Sequence, residues 1–211
     1  TAHGAGLWKG LIIGTTGTAF INNTLIENAK TAILVNGQLT ANELHINHSY
    51  IGINNLAHST IDGYFSSQID YDSIQNSGVL DLADGKIEQS ATGIQTSGTS
   101  TITDSNFSSV GVALKNIAGQ IYADDISLNS VTVGIYSQIN SIVRVSNIVG
   151  VNVALLVDAA NSDDLLVENA VVSGSRALVS NDASSFELSN ISFDGDTSNC
   201  LLYTSDAADD T

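Results

Sequence analysis

The 211-residue chain contains no proline, no methionine and a single cysteine, and its six Lys and Arg residues are set against 22 acids. That shortage of bases removes nucleic acid and other polyanions from the candidate partners, because a phosphate backbone is held by clustered Lys and Arg and repelled by a net charge of −16. No apolar run approaches the 18 or more residues that a membrane-spanning helix needs, so no membrane insertion is expected. One cysteine cannot close an intrachain disulfide or build a thiolate metal site. Without Met, and without a basic-then-apolar leader at Thr1, the chain reads as an internal piece of a longer parent with neighbouring domains. What remains plentiful is Gly, Asn, Ser and Thr beside 43% hydrophobic residues, a mixture suited to many short strands and turns.

The last stretch, CLLYTSDAADD from Cys200 to Asp210, departs from the rest. It resembles the in-frame translation of a transposase-type sequencing adapter. That resemblance implies that residues 200–211 are a non-native or disordered tail and that the lone cysteine is foreign to the fold. Removing its three acids leaves 22 − 3 = 19 acids against six bases, a net charge of −13 for residues 1–199.

Those residues repeat. LTANELHINHSYIGI (Leu39 to Ile53) aligns without a gap on IYADDISLNSVTVGI (Ile121 to Ile135), apolar position on apolar position. A small residue followed by an aliphatic one recurs at Gly10-Leu11, Ala32-Ile33, Gly52-Ile53, Gly93-Ile94, Gly111-Val112, Gly134-Ile135, Ala154-Leu155 and Ala177-Leu178, with Asp70-Tyr71 as an irregular member. The mean step is about 21 residues. A second column precedes the next pair and holds Asn23, Glu43, Asp62, Asp84, Asp104, Asp125, Asn147, Asn169 and Asn190. Apolar residues lie two and four places before this column and one and three places after it, as in Leu80 and Leu82, or Ile126 and Leu128. The unit therefore reads as three short strands of period two, the second and third joined by one bend residue. Asn and Asp suit that bend because they tolerate the left-handed backbone conformation.

Three strands in 21 residues cannot bury their own inner faces, so successive units must stack, each strand pairing in parallel with its equivalent in the next. The expected fold is all-β: a single-stranded right-handed parallel β-helix over residues 1–199, of about nine turns and without caps, its hand following the rule for parallel crossovers. GLWKGLIIG (Gly6 to Gly14) followed by AFINNTLIENAKTAILV (Ala19 to Val35) is similar to the Trp-x-Gly-Ile/Leu-x-Ile/Leu entry to right-handed β-helix repeats of secreted and cell-surface bacterial proteins. The resemblance implies an extracellular or cell-surface location in a bacterium. It also implies a family that holds pectate-lyase-like enzymes, adhesins and stalks alike, so activity has to be argued from the site.

The candidate sites are few. His45 and His48 are three apart, as in half a metal site, but Leu44 and Ile46 take the inward positions after the Glu43 bend, so His45 points outward and His48 falls in the next turn. Both read as surface histidines. For polysaccharide chemistry the strand after each small-aliphatic pair would present Ile12, Leu34, Asn54, Asp72, Gln95, Ala113, Tyr136, Leu156 and Val179 outward. A single acid there cannot provide the two carboxylates, about 5 to 10 Å apart, that glycosidases need. The apolar members with Tyr136 could instead form a sugar-stacking strip. Calcium is the one cofactor to consider, at Asp124-Asp125, Asp163-Asp164 or Asp194 to Asp196, yet these read as ordinary turn acids. No catalytic, cofactor or metal residue is therefore assigned. The expected function is a non-catalytic β-helix segment of a larger exported protein, a stalk, adhesin or glycan-binding module whose partners are glycans or other surface proteins. The alternative is a carbohydrate-active enzyme, lyase or hydrolase, with catalytic turns partly outside the segment.

Overall fold

The computed structural model describes residues 8–138, 140–159, 164–174, 177–181, 186–194 and 202–204, and among these there are strands but no helix. No helix of the described residues is therefore long and apolar enough to cross a membrane. Short strands alternate with long ones: Thr31–Val35 leads to Gln38–Asn47, Ile51–Asn55 to His58–Ser67, Val112–Asn116 to Gln120–Asn129. Short strands pair in parallel with short and long with long, giving two ten-stranded sheets around one core. The chain is a parallel β-solenoid of about eight turns, roughly 21 residues apart.

The long strand is two strands in one. In Gln38–Asn47, Leu39 and Ala41 are buried, then Leu44 and Ile46. The switch from odd to even numbers occurs at Glu43, whose φ of 52° is left-handed. One such residue turns the chain so that both halves keep an apolar face inward. Asn23, Asp84, Asp104, Asp125, Asn147, Asn169 and Asn190 have left-handed φ of 45° to 54° at the equivalent place. Asp62 does not. Asp62 stacks between Asn42 and Ala83, one place early, and the left-handed residue of that coil is Gly63 at φ 68°. Without a Cβ, glycine meets no steric penalty there, so it displaced the residue types that composition alone would favour.

A second left-handed corner closes each coil where the long strand returns to the short one, at Asn28, His48, Gln68, Gln89, Ser109, Ser130, Asn152 and Gly174. Its backbone N–H groups bond to the following coil, as from His48 N to Ser67 O (3.2 Å) and Ser130 N to Val151 O (2.9 Å). The first corner is held by buried side chains. Asn55 Nδ2 donates to Asn76 Oδ1 and to the Val79 carbonyl, both at 2.8 Å, and Asn76 Nδ2 donates to the Thr99 carbonyl (2.7 Å). Asn116 repeats the arrangement with Gly119 and Ile142. These amides satisfy carbonyls that a turn inside a sheet would otherwise bury unpaired.

Register fixes one line as Leu11, Ile33, Ile53, Ile74, Ile94, Leu114, Ile135, Val157, Val179 and Leu202, which is core from Ile33 to Val157 while Leu11 at its start is exposed. Steps along it run from 20 to 23 residues, and Gly52, Gly93 and Gly134 keep the place just before it. Four expected members move. Ile74, three places on in the strand Ile69–Asn76 that carries a one-residue bulge, stands where Tyr71 was expected, and Leu114 and Val157 lie two places beyond Val112 and Leu155. Leu156, fully buried, fills a position held by Gly, Ala or Ser in the coils before it, which hides the register from a rule that seeks small residues. Val179, one beyond Leu178, completes the set. The strand Leu202–Thr204 pairs with Ala177–Asn181, so the short-strand sheet runs on into the segment expected to be tail; Cys200 and residues 205–211 lie outside the described residues.

Stacked aliphatic side chains stabilise the rod by about 25 cal/mol per Å2 of apolar surface buried. One buried hydroxyl is built into them: Tyr64 Oη meets Ser73 Oγ at 3.0 Å, and Ser66 Oγ meets the same oxygen at 2.6 Å. Burial pushes the Tyr64 phenol up to about 12, with Ser73 and Ser66 pulling the other way. The unfolded chain then ionises this group before the folded one does, so stability should fall as pH rises from about 10 to about 12, and Tyr64→Phe should flatten that part of a denaturation-against-pH curve. Close approach also matters at the first corner, where a Cβ on Gly98 would stand 2.1 Å from the Gly78 carbonyl oxygen. Gly98→Ala is expected to destabilise the fold by roughly 1–3 kcal/mol in urea unfolding.

Candidate functional site

On each short strand the residue just after the Ile53–Ile135 line faces outward, and register makes that column Ile12, Leu34, Asn54, Gln75, Gln95, Lys115, Tyr136 and Asp158, with Ser180 next in register. Asp72, Ala113, Leu156 and Val179, expected there, are not in it: Ala113 and Leu156 are fully buried, Val179 is in the Ile53–Ile135 line itself, and Asp72 sits three residues before Gln75. The expected apolar strip shrinks to Ile12 and the half-buried Leu34. From Asn54 onward the face is polar.

Asp72 is the unusual group of this face. The bulge places it opposite Thr92, wholly buried, where Oδ2 accepts a hydrogen bond from Gln75 Nε2 at 2.7 Å and Oδ1 has no hydrogen-bond partner. Burial pushes its carboxyl up from the ordinary value, against the opposing pull of Gln75, Thr92 and the Lys115 charge. Burial also raises Asp158. Asp72 and Asp158 are four coils apart, about 19 Å at the usual spacing of paired strands. That is too far for the two carboxylates to act on one glycosidic bond.

A shallow trough runs along the axis on the first half of the long strands. One wall is the column Thr60, Asp81, Thr101, Tyr122, Arg144 and Leu166, and the other is Asp62, Ala83, Thr103, Asp124, Ser146 and Glu168. Between them the floor is the backbone at Ile61, Leu82, Ile102, Ala123 and Val145. Six coils span about 24 Å at strand spacing. One end of it, about 250 Å3, is lined by Tyr122, Asp124, Arg144, Ser146 and Glu168 among others. Period two puts residues two apart on the same face, which is why walls and floor alternate along each strand.

The polar groups of this trough are partly engaged with one another. Asp124 Oδ1 accepts from Ser146 Oγ at 2.6 Å and from Asn147 Nδ2 at 2.8 Å. Asn169 then donates to Asn147 and Asn190 to Asn169, so the bend column forms an external amide ladder that ends on the Asp124 carboxylate. Arg144 Nη2 pairs with Asp164 Oδ2 at 2.8 Å. Tyr122 is 37% exposed and donates to Gln120 Oε1 at 3.3 Å. Exposed hydroxyls, carboxylates, a guanidinium and one aromatic ring repeat at the strand spacing. Such a row can donate to, accept from and stack on a linear polyhydroxylated chain.

The histidines stand elsewhere. His45 is exposed on the second half of its strand, its ring 5.5 Å from that of Phe65, and Lys86 Nζ lies 5.3 Å from the Phe65 centroid on the next coil. His48 is at the second corner with φ 49°. Among the described residues no three His, Cys, Asp or Glu side chains converge where a metal ion could sit. Of the turns considered for calcium, Asp124 and Asp164 make the contacts above, whereas Asp163, Gly195 and Asp196 lie outside the described residues, as does His3. Sequence reasoning missed the trough. Its walls combine Thr, Asp, Tyr, Arg, Ser, Glu, Ala and Leu in no regular order, and only the register brings them into line.

No protein-family profile matches the chain, and no curated protein does. Among solved structures it is similar to the catalytic domain of a GH87 alpha-1,3-glucanase in complex with nigerose, with 11% identity and a TM-score of 0.41 over 92% of this chain and 57% of that one. A second such catalytic domain, in complex with tetrasaccharides, gives 10% identity and a TM-score of 0.41 over 93% and 57%. The chain thus spans little more than half the length of those domains, and at this level the likeness carries nothing about activity.

Asp72 supplies a test of the outer face. A carboxyl whose folded pKa is raised leaves stability intact below the ordinary carboxylate range and lowers it as pH rises through the raised value. Asp72→Asn should therefore match the wild type at pH 3 and exceed its melting temperature at pH 7, with Gln75 still donating to the side-chain oxygen.

Proposed function

We propose that this chain is a glycan-binding segment of an exported bacterial surface protein, and that the trough between the Thr101–Tyr122–Arg144 and Thr103–Asp124–Ser146 columns is where an extended sugar chain lies. The observation that carries the reading is the trough itself: open, lined mostly by apolar surface, with the ring of Tyr122 exposed and the polar ends of Asp124, Arg144, Ser146 and Glu168 along it. Sugar hydroxyls exchange hydrogen bonds with carboxylates, hydroxyls and guanidinium groups, and the apolar face of a pyranose rests on an aromatic ring. A monosaccharide repeats on the scale of the ~4.8 Å between paired strands, so successive sugars meet successive coils in register. The net charge of −16 favours neutral glycans over uronates or sulfated chains. The secreted or cell-surface setting rests on the repeat resemblance in the opening coils.

One observation favours a second reading, hydrolysis. Asp124 and Glu168 lie two coils apart in one column, about 10 Å by strand spacing, near the upper end of the carboxylate separation in inverting glycosidases. Asp124 already accepts from Ser146 and Asn147, and Glu168 from Ser189 (3.3 Å), so both carboxylates are engaged with neighbouring side chains. Binding is the better-supported role.

Calorimetric titration with cellohexaose, laminarihexaose and maltohexaose tests both readings. At least one should bind, and Tyr122→Ala and Asp124→Ala should each weaken binding at the trough by tenfold or more, the equivalent of ~1.4 kcal/mol upward, to the point of loss from the titration. Chromatography of the same mixtures after overnight incubation should return intact hexasaccharide. Shorter products that vanish in Glu168→Gln would establish the hydrolytic reading instead, and no binding to any of the three would remove the glycan reading.

A further inference from the structure

The bulge that displaces Asp72 also thrusts Tyr71 outward at the second corner. Four residues, Ile69 to Asp72, face three on the next coil, Ser90 to Thr92, and the extra one leaves Tyr71 42% exposed. Tyr50 of the preceding coil is equally exposed, and the two coils are joined beside it by the bond from Tyr71 N to Tyr50 O at 3.0 Å. The rings stack, with centroids 5.6 Å apart and planes 6° from parallel. On the far side of Tyr71 the corner is occupied by exposed Ala91 and then by Gly111, whose N–H bonds to the Ser90 carbonyl at 3.1 Å. Side chains of one carbon and none leave the distal face of the Tyr71 ring uncovered, like a step above a ledge. Asp70, exposed next to it in sequence, adds a hydrogen-bond acceptor at the rim.

This corner is remote from the trough. Followed round a coil, the trough side leads through the left-handed bend and the second half of the long strand before the corner is reached, and in the other direction through the first corner and the whole short strand. One complete side of the solenoid separates the two in either direction. A single sugar chain running along the axis cannot touch both.

We infer that the Tyr50–Tyr71 stack, with the ledge at Ala91 and Gly111, is a second carbohydrate subsite that seats one neutral pyranose ring against the open face of Tyr71, so that the rod holds two glycan chains on different sides and bridges them. The inference rests on the glycan-binding reading of the trough for the second chain, but not for its own contact. Stacking on an aromatic face is the chemistry that recognises a sugar ring, and a preformed, mutually stacked pair presents that face with little ordering still to lose. Two weak sites on one rigid body give a multivalent surface strong retention without further contacts.

Titration of the full chain with cellohexaose, laminarihexaose and maltohexaose should show two equivalents bound for the wild type, one for Tyr71→Ala, one for Tyr122→Ala and two for Tyr71→Phe, which keeps the ring. Ala91→Phe provides a variant that loses no tyrosine: it fills the ledge, and should also bind one equivalent while its melting temperature stays at the wild-type value. A wild-type stoichiometry unchanged in both Tyr71→Ala and Ala91→Phe overturns the platform, and if Tyr122→Ala still removes a site the trough reading survives alone. A single wild-type site abolished by Tyr71→Ala and untouched by Tyr122→Ala upholds the platform and removes the trough. Absence of binding to all three sugars overturns both.

Discussion

Strand by strand, the described residues bond through the main chain to the equivalent strand one coil away, and most other features follow from that pairing. Ile126 lies on Ile148 and Ile148 on Ala170; Asn55 lies on Asn76. Parallel ladders tolerate no drift, because a slip of one residue would carry every inward side chain to the outside. Like therefore stacks on like, with aliphatic chains in the interior lines, amides where carbonyls would be stranded, and glycine where one corner crosses closely over the next. The bulge at Ile69–Asn76 is the conspicuous exception, and the chain absorbs its extra residue at a corner, leaving the core line through Ile74 undisturbed.

Outward columns escape that discipline. Nothing in the ladder cares whether the residue above Thr101 is Asp81 or the one below it is Tyr122, so composition there is free to answer to what the surface meets. That freedom separates the long-strand trough, with its hydroxyls and carboxylates, from the short-strand face, where a row of amides leads through Lys115 and Tyr136 to Asp158. It also explains why function in a solenoid is spread along a line and has no single centre: the scaffold repeats every feature it can, and a ligand that repeats as well finds contacts at each step.

Much of the fold was legible because the internal constraint is written in residue types. The two-and-four-before, one-and-three-after pattern around Asn147 or Asp125 has no other reading than a bend that resets the inward parity. The departures have particular causes. Gly63 takes the left-handed place that Asp62 seemed to mark, since glycine adopts it without help from its neighbours. Leu156 occupies a small-residue line, so the pair Ala154-Leu155 drew the register two places early. The second corner accepts Asn, His, Gln, Ser and Gly indifferently and leaves no signature. The outer surface was hardest to read: a displacement of two residues exchanges Lys115 for Ala113 and Asp158 for Leu156, and the trough emerges only once the long strands are laid side by side.

Because neighbours touch only neighbours, the solenoid has a mechanical character that a globular core lacks. The strands at Leu11–Ile13 and Leu202–Thr204 lie at opposite edges of the short-strand sheet, so tension between them loads the coil-to-coil bonds one rank at a time. Peeling an outermost coil of roughly 21 residues frees about 70 Å of slack at the contour length of an extended chain, while the inner coils keep their shape. Under shear such a rod pays out line gradually, and whatever it grips through its inner coils stays gripped.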